Sequence, residues 1–246
     1  MKLIAHRGGS FGRENSLDTM LAAARMGADA VECDIRRTKD GELVIYHDSN
    51  LSRLTGQNIE VSDLTCRQMQ DILWQHGQQL LTFDQLARGY HVCTPILLHI
   101  KLETYDETFA QMIVNSGLPL IVGVVSLEML KCFSPLLPRQ NILAFLPSPE
   151  DADAFYHGGA GILRLWEQWL ANVTPTALKA RCPDAEVFIM ACNMAVKAGD
   201  EIPLQSMDGS RESLDYAMCL GADGVLLNNI EMALAWRTQQ ASHQCQ

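Results

Sequence analysis

Short apolar runs of strand length recur along the chain, separated by stretches in which apolar residues follow helical spacing. This is the form taken by repeated βα units on a parallel sheet. The runs fall at 2–6, 30–35, 43–47, 95–101, 120–126, 141–146, 161–166, 186–192 and 223–228, one more than the eight that close a regular barrel. Spacing resolves the surplus. Between Asp34 and Leu43 there are too few residues for a crossover helix, which needs a dozen or more, whereas Thr38-Lys39-Asp40-Gly41 suits a hairpin turn. The 43–47 run is therefore predicted to return antiparallel to the second strand, bringing His47 back to the level of residues 32–34. Eight parallel strands remain. The predicted fold class is α/β, a (β/α)8 barrel with an extra antiparallel return strand after strand 2 and a small insertion over the barrel mouth.

Helix punctuation agrees with this. Ser16 can cap a helix whose apolar positions Leu17, Met20, Leu21 and Ala24 share one face, and Gly27 stands where a left-handed stop is wanted. The turn Met26-Gly27-Ala28-Asp29-Ala30-Val31 is repeated at Leu220-Gly221-Ala222-Asp223-Gly224-Val225, with residues 157–162 as a looser copy. Recurring helix-to-strand turns fit a closed repeat. No GxGxxG follows the first strand, which weakens an open doubly wound sheet as the rival. Residues 48–82 break the rhythm and are predicted to form the insertion within a single domain of residues 1–246, with a helical pattern around 64–74 and a crossover helix near 83–90. Residues 193–211 are expected to form a long loop near the rim, placed as a lid, and the polar tail after Arg237 is expected to fray.

Composition narrows the function classes. The 246 residues are 48% hydrophobic and 20% charged, enough for a large core and unlike a disordered chain. The net charge of −10, with no basic run, argues against nucleic acid and against anionic lipid as partners, so an anionic small molecule must be met locally. No segment reaches the ~18 uninterrupted apolar residues of a membrane span, and the first residues do not read as a signal peptide. The expected location is cytoplasmic, without stable membrane insertion. Eight cysteines are scattered, form no CxxC pair and are read as reduced core thiols.

Active sites of such barrels lie at the carboxyl ends of the strands. There the chain carries His6-Arg7-Gly8-Gly9, Glu32 and Asp34, His47-Asp48, and His99 with Lys101. Alternation places Glu32 and Asp34 on one face, and likewise His99, Lys101 and, if the strand continues, Glu103. So many ionisable groups at one rim imply compensation by a bound cation and a bound anion. Two carboxylates with further donors make a hard divalent-cation site, most naturally Mg²⁺ or Ca²⁺. Arg7 and Lys101 can clamp phosphate oxygens, the Gly8-Gly9 backbone allows close approach, and two histidines can act as general base and acid near neutral pH. The combination is suited to phosphoryl transfer.

These residues resemble the glycerophosphodiester phosphodiesterase family, a TIM-barrel family of the phospholipase C-like phosphodiesterases. The resemblance is carried by His6-Arg7-Gly8 followed by Glu14-Asn15-Ser16, by Glu32-x-Asp34, by Lys39-Asp40-Gly41-x-x-Val44 with His47-Asp48, and by Leu51-x-Arg53-x-Thr55. It is close over the first 55 or so residues and thins to Ile100-Lys101 and Gly221-Ala222-Asp223-Gly224. It implies metal-dependent hydrolysis of a glycerophosphodiester to sn-glycerol 3-phosphate and an alcohol through a cyclic phosphate. By the same resemblance His6 and His47 are the acid/base pair, Glu32 and Asp34 metal ligands, Arg7 and Lys101 phosphate contacts, and Glu14 and Asn15 orienting groups.

Several positions depart from the family pattern. Arg13 stands where the family has proline. His99 replaces a carboxylate ligand, which removes one negative charge and shifts preference toward Mn²⁺, Co²⁺ or Zn²⁺; Glu103 is the alternative third ligand. Met190-Ala191-Cys192-Asn193 replaces the family's Trp-Thr-x-Asn, and Leu227-Asn228 its Thr-Asp, so the aromatic wall expected at the glycerol end is missing. Two other readings stay open: a related phospholipase-type or sphingomyelinase D-like enzyme with a different headgroup, and a non-catalytic barrel that binds a phosphodiester or a metal.

Overall fold

The computed structural model describes residues 1–191 and 211–243. Its sheet contains β1 (Lys2–Ala5), β2 (Ala30–Arg37), β3 (Leu43–Ile45), β4 (Leu81–Thr82), β5 (Ile96–Ile100), β6 (Leu120–Val124), β7 (Ile142–Phe145), β8 (Ile162–Trp166), β9 (Glu186–Ala191) and β10 (Gly224–Leu227). β1 pairs in parallel with both β10 and β2, which closes the ring, and β2 continues in parallel to β5 and onward to β10. The fold is thus a TIM barrel of eight parallel strands with two strands outside the ring.

The return strand lies where chain spacing puts it. β3 pairs antiparallel with β2 in the register Ile35 to Ile45 and Arg37 to Leu43. The Tyr46 N–H then donates to the Asp34 carbonyl at 3.0 Å, which fixes His47 beside the acidic stretch of β2. β4, only two residues long, pairs antiparallel with β3 and was not foreseen.

Helix α1 (Leu17–Met26) follows β1. The Ser16 hydroxyl accepts from the Thr19 N–H at 3.3 Å, and Gly27, at φ 103°, ends the helix in the left-handed region. The repeated turns do the same job twice. Asp29 accepts from the Leu3 N–H and Asp223 from the Val187 N–H, both at 2.8 Å, so each carboxylate ties the foot of its own strand to the neighbouring one.

Two apolar layers hold the barrel. The interior packs Ile4, Leu97, Leu143, Phe145, Ile162, Phe188 and Leu226, while Leu3, Val31, Leu98, Val122, Leu163 and Val225 face the surrounding helices. Each fully buried aliphatic or aromatic side chain contributes about 1.5–3 kcal/mol. Residues 48–82 carry their own cluster, in which Leu51, Val61, Met69 and Leu73 pack on Val44 and Tyr46 of the return strand. Its longer helix, Cys66–Gln75, is fixed at its start by a reciprocal Thr65–Gln68 capping box.

Two expectations are corrected. The polar tail after Arg237 does not fray at once but continues in helix Ile230–His243, where Arg237 ion-pairs with Asp29. The cysteines are not all core residues: Cys33, Cys66 and Cys182 are buried, but Cys93 and Cys219 are exposed and Cys132 is half-buried, because they occupy loop or outward helix positions. Cys192, Cys245 and the expected loop 193–211, apart from Arg211, lie outside the described residues.

Candidate active site

β1 runs into a single turn, His6–Gly8, at the carboxyl end of the barrel. Arg7 takes a left-handed conformation there, φ 51° and ψ 29°, which a non-glycine residue adopts only under constraint. The constraint is visible, because that geometry lets the Arg7 N–H donate to Glu32 Oε2 at 2.9 Å. Gly8, at φ 90°, has a different reason for being glycine than close approach to phosphate. A Cβ on it would meet Thr19 Cγ2 at 3.0 Å and Met20 N at 3.2 Å, so its bareness makes room for α1.

Glu32 and Asp34, at 0% and 1% exposure, project inward from β2. Asp34 is surrounded by donors. Lys101 Nζ lies 2.9 Å and His99 Nδ1 3.2 Å from Oδ1, while Arg7 Nε is 3.5 Å and Asn15 Nδ2 3.2 Å from Oδ2. Asn15 also accepts from the Asp34 N–H at 3.3 Å, so one amide grips both ends of the residue. Burial alone would raise the Asp34 carboxyl, but the His99 hydrogen bond and the Lys101 ammonium hold it well below the usual range. Glu32 goes the other way, pushed up to about 8 by burial and by the Asp34 charge.

Glu32, Asp34 and His99 each offer a ligand atom, and these atoms lie within 4.8 Å of one another. Glu32 Oε1 is buried and makes no hydrogen bond, with His99 Nδ1 3.7 Å away. Oxygen and imidazole donors that converge around an unsatisfied carboxylate oxygen fit a divalent metal ion. Glu103 does not belong to this group. β5 ends at Ile100, the alternation is lost, and Glu103 is exposed among Arg36, Arg37 and Glu60.

The histidines differ in surroundings. His6 is 5% exposed, and its Nδ1–H donates to Asn228 Oδ1 at 2.7 Å, which leaves Nε2 facing Glu32 Oε2 at 3.9 Å. Burial and the Arg7 charge lower it to about 4, so it is neutral at pH 7 with a free lone pair. His47 is half-buried and donates from Nδ1 to Asp48 Oδ1 at 2.6 Å. Burial lowers it too, while the nearby Asp34 charge and the Asp48 hydrogen bond oppose this. Asp48 is held in turn by Arg53 at 2.6 Å, and Arg53 also ion-pairs with Glu14, which reaches Arg7 at 3.2 Å. Burial opposes ionisation of Glu14, but the two guanidiniums keep its carboxyl below the ordinary value.

Five contributors escaped sequence reasoning. Asn228, visible only as a departure at the end of the last strand, orients His6 because ring closure sets β10 against β1. Arg53 was noted in a motif without a role. Phe145 stacks on the His99 imidazole, with centroids 3.7 Å apart and planes 12° from parallel. Gly123 on β6, between their strands, has no Cβ to block that ring. Arg164 follows, 5.0 Å from the Phe145 centroid and 4.1 Å from that of Trp166. The barrel mouth therefore has an aromatic wall after all, built from β7 and β8. Of the segment where the family has its own aromatic, Cys192 and Asn193 lie outside the described residues.

The fold and this site define a barrel with a buried carboxylate pair, flanking cations and two histidines at its mouth. Residues 6–122, just under half of the chain, match the glycerophosphoryl diester phosphodiesterase family. A glycerophosphodiester phosphodiesterase of Caldanaerobacter subterraneus is 38% identical over 124 residues, 50% of this chain and 48% of that protein. A Homo sapiens lysophospholipase D is 47% identical over 66 residues, 26% of this chain and 20% of its own length. The matched stretches thus span less than half of the length of these curated relatives. Likeness over the whole chain comes from fold. A phosphodiesterase of Oleispira antarctica, solved with the product sn-glycerol-3-phosphate, covers 97% of each chain with a TM-score of 0.71 at 18% identity. Among the described residues no helix is long and apolar enough to cross a membrane.

Proposed function

We propose that the protein hydrolyses glycerophosphodiesters to sn-glycerol 3-phosphate and an alcohol, with a divalent metal ion held by Glu32, Asp34 and His99. The observation that carries this reading is the pairing of two differently set histidines around one buried carboxylate and cation centre. When bound, the metal supplies Lewis-acid stabilisation of charge on the phosphoryl oxygens. His99 in place of a carboxylate favours Mn²⁺, Co²⁺ or Zn²⁺ over Mg²⁺ or Ca²⁺.

The rest follows from the chain's own groups. Arg7 and Lys101 hold the phosphate oxygens. His6, neutral and oriented by Asn228, takes the proton of the glycerol 2-hydroxyl as its oxygen attacks phosphorus. His47, whose imidazolium Asp48 stabilises, gives its proton to the departing alcohol. The P–O bond to the alcohol breaks as the bond to the 2-oxygen forms, leaving a cyclic phosphate. Water then opens the ring: His47 accepts a water proton and His6 returns its own to the 2-oxygen. An attacking group already carried by the substrate removes much of the entropic barrier.

The test is glycerophosphocholine against its analogue lacking the 2-hydroxyl, followed by ³¹P NMR. Cleavage of the first alone, with sn-glycerol 3-phosphate as final product, is expected. Equal cleavage of both would exclude internal attack.

A further inference from the structure

Two cavities share residues with the centre, one through His6 and Arg7 and the other through Lys101. One, of about 500 Å³, is lined by His6, Arg7, Arg13, Glu14, Arg53 and Asn228 among others. The second, of about 300 Å³, reaches out from Lys101 to the β2–β3 hairpin and the turn at residues 60–62. Both Lys101 and Arg36 donate to the His47 carbonyl, at 3.4 and 2.9 Å, so two residues of the second cavity's lining hold the backbone of His47.

Its charge is unusual for this chain. Arg36, Arg37, Lys39 and Lys101 line it, opposed by Glu60 and Glu103, in a protein whose net charge is −10. Alternation explains the placement: Arg36 continues the inward face of Glu32 and Asp34, and Lys101 that of His99, beyond the rim of the ring. Arg37 is turned outward and committed to Thr104 and the Phe109 ring. Lys39 is exposed on the hairpin, and Ser49 and Ser62 add hydroxyls.

We infer that this second cavity is an anion subsite that receives a phosphate or carboxylate group carried by the leaving alcohol. The assignment rests on the proposed function, since it is His47, on this side, that protonates the departing oxygen, while the glycerol lies toward His6. A leaving alcohol bearing a negative charge is thereby preferred to a neutral or cationic one.

The experiment compares glycerophosphoglycerol with the same diester carrying a terminal phosphate on its second glycerol. The terminal phosphate is expected to raise kcat/KM about fivefold through KM, the worth of one or two partly screened ion pairs. Lys39→Glu abolishes the preference and Glu103→Gln widens it, and neither changes turnover of the compound without the terminal phosphate. Hydrolysis without preference, or a preference that survives Lys39→Glu, overturns the inference. If neither diester is hydrolysed, the proposed function fails instead, and calorimetry on the intact compounds decides the subsite. Tighter binding of the phosphorylated one, lost in Lys39→Glu, supports it, and equal binding overturns it. Inorganic phosphate is expected to bind wild type and Lys39→Glu alike. Phosphate binding weakened by Lys39→Glu, with the diester preference intact, overturns the tethered reading in favour of a free-anion site.

Discussion

Metal binding to this centre should release one proton, and the proton should come from Glu32. Of the three proposed ligands, Asp34 is already ionised at neutral pH and His99, lowered to about 4 chiefly by burial, is already neutral. Glu32 alone carries a proton at pH 7, because its midpoint is raised from 4.5 to about 8. That displacement corresponds to about 5 kcal/mol between the charged and neutral forms. A cation must displace this proton, so its apparent affinity should fall about tenfold for each pH unit below 8, and about a hundredfold between pH 8 and pH 6. Titration calorimetry with Mn²⁺, repeated in buffers of different ionisation enthalpy, reads both the affinity and the proton count. Near one proton per Mn²⁺ at pH 7 is expected, and none in Glu32→Gln. An affinity that ignores pH, with no proton released, would refute the reasoning.

Other outcomes follow from the same geometry. The folded-state values of His6 and His99 are both lowered from 6.5 to about 4, so their contribution to stability is full above pH 6.5 and lost as pH falls through 4. Each is worth up to about 3 kcal/mol, with Glu32 opposing over part of that range, so metal-free Tm should drop from pH 7 to pH 4.5; an unchanged Tm contradicts this. Gly123→Ala drives a Cβ into the Phe145 ring and within 3.2 Å of the Leu98 carbonyl, which should cost about 1–3 kcal/mol in denaturant titrations and weaken Mn²⁺ binding by unseating His99. Asp48→Asn keeps the shape of the His47 partner but removes its charge, so kcat should fall about 10- to 100-fold with Tm nearly unchanged.

The parts of the protein legible in its sequence are those set by local spacing. The hairpin at residues 38–41 is forced by a connection too short for a helix, and from its register His47 follows. Glu32 and Asp34 follow from alternation along one strand, and Ser16 and Gly27 from helix ends. Contacts across the ring carry no such signal. Gly123 reads as one more small residue in an apolar run until β5 and β7 are set on either side of it. Asn228 gains its role only when the last strand meets the first. Glu103 was over-read for the converse reason, since alternation says nothing about where a strand stops. β4, at two residues, is too short for any period to show.

The central claim is tested most directly by release of sn-glycerol 3-phosphate from glycerophosphocholine and glycerophosphoethanolamine by metal-stripped protein, with Mg²⁺, Ca²⁺, Mn²⁺, Co²⁺ and Zn²⁺ restored one at a time. Activity lost on chelation and recovered best with Mn²⁺, Co²⁺ or Zn²⁺ is the expected result. No release with any of the five, or full release in the presence of chelator, would contradict it.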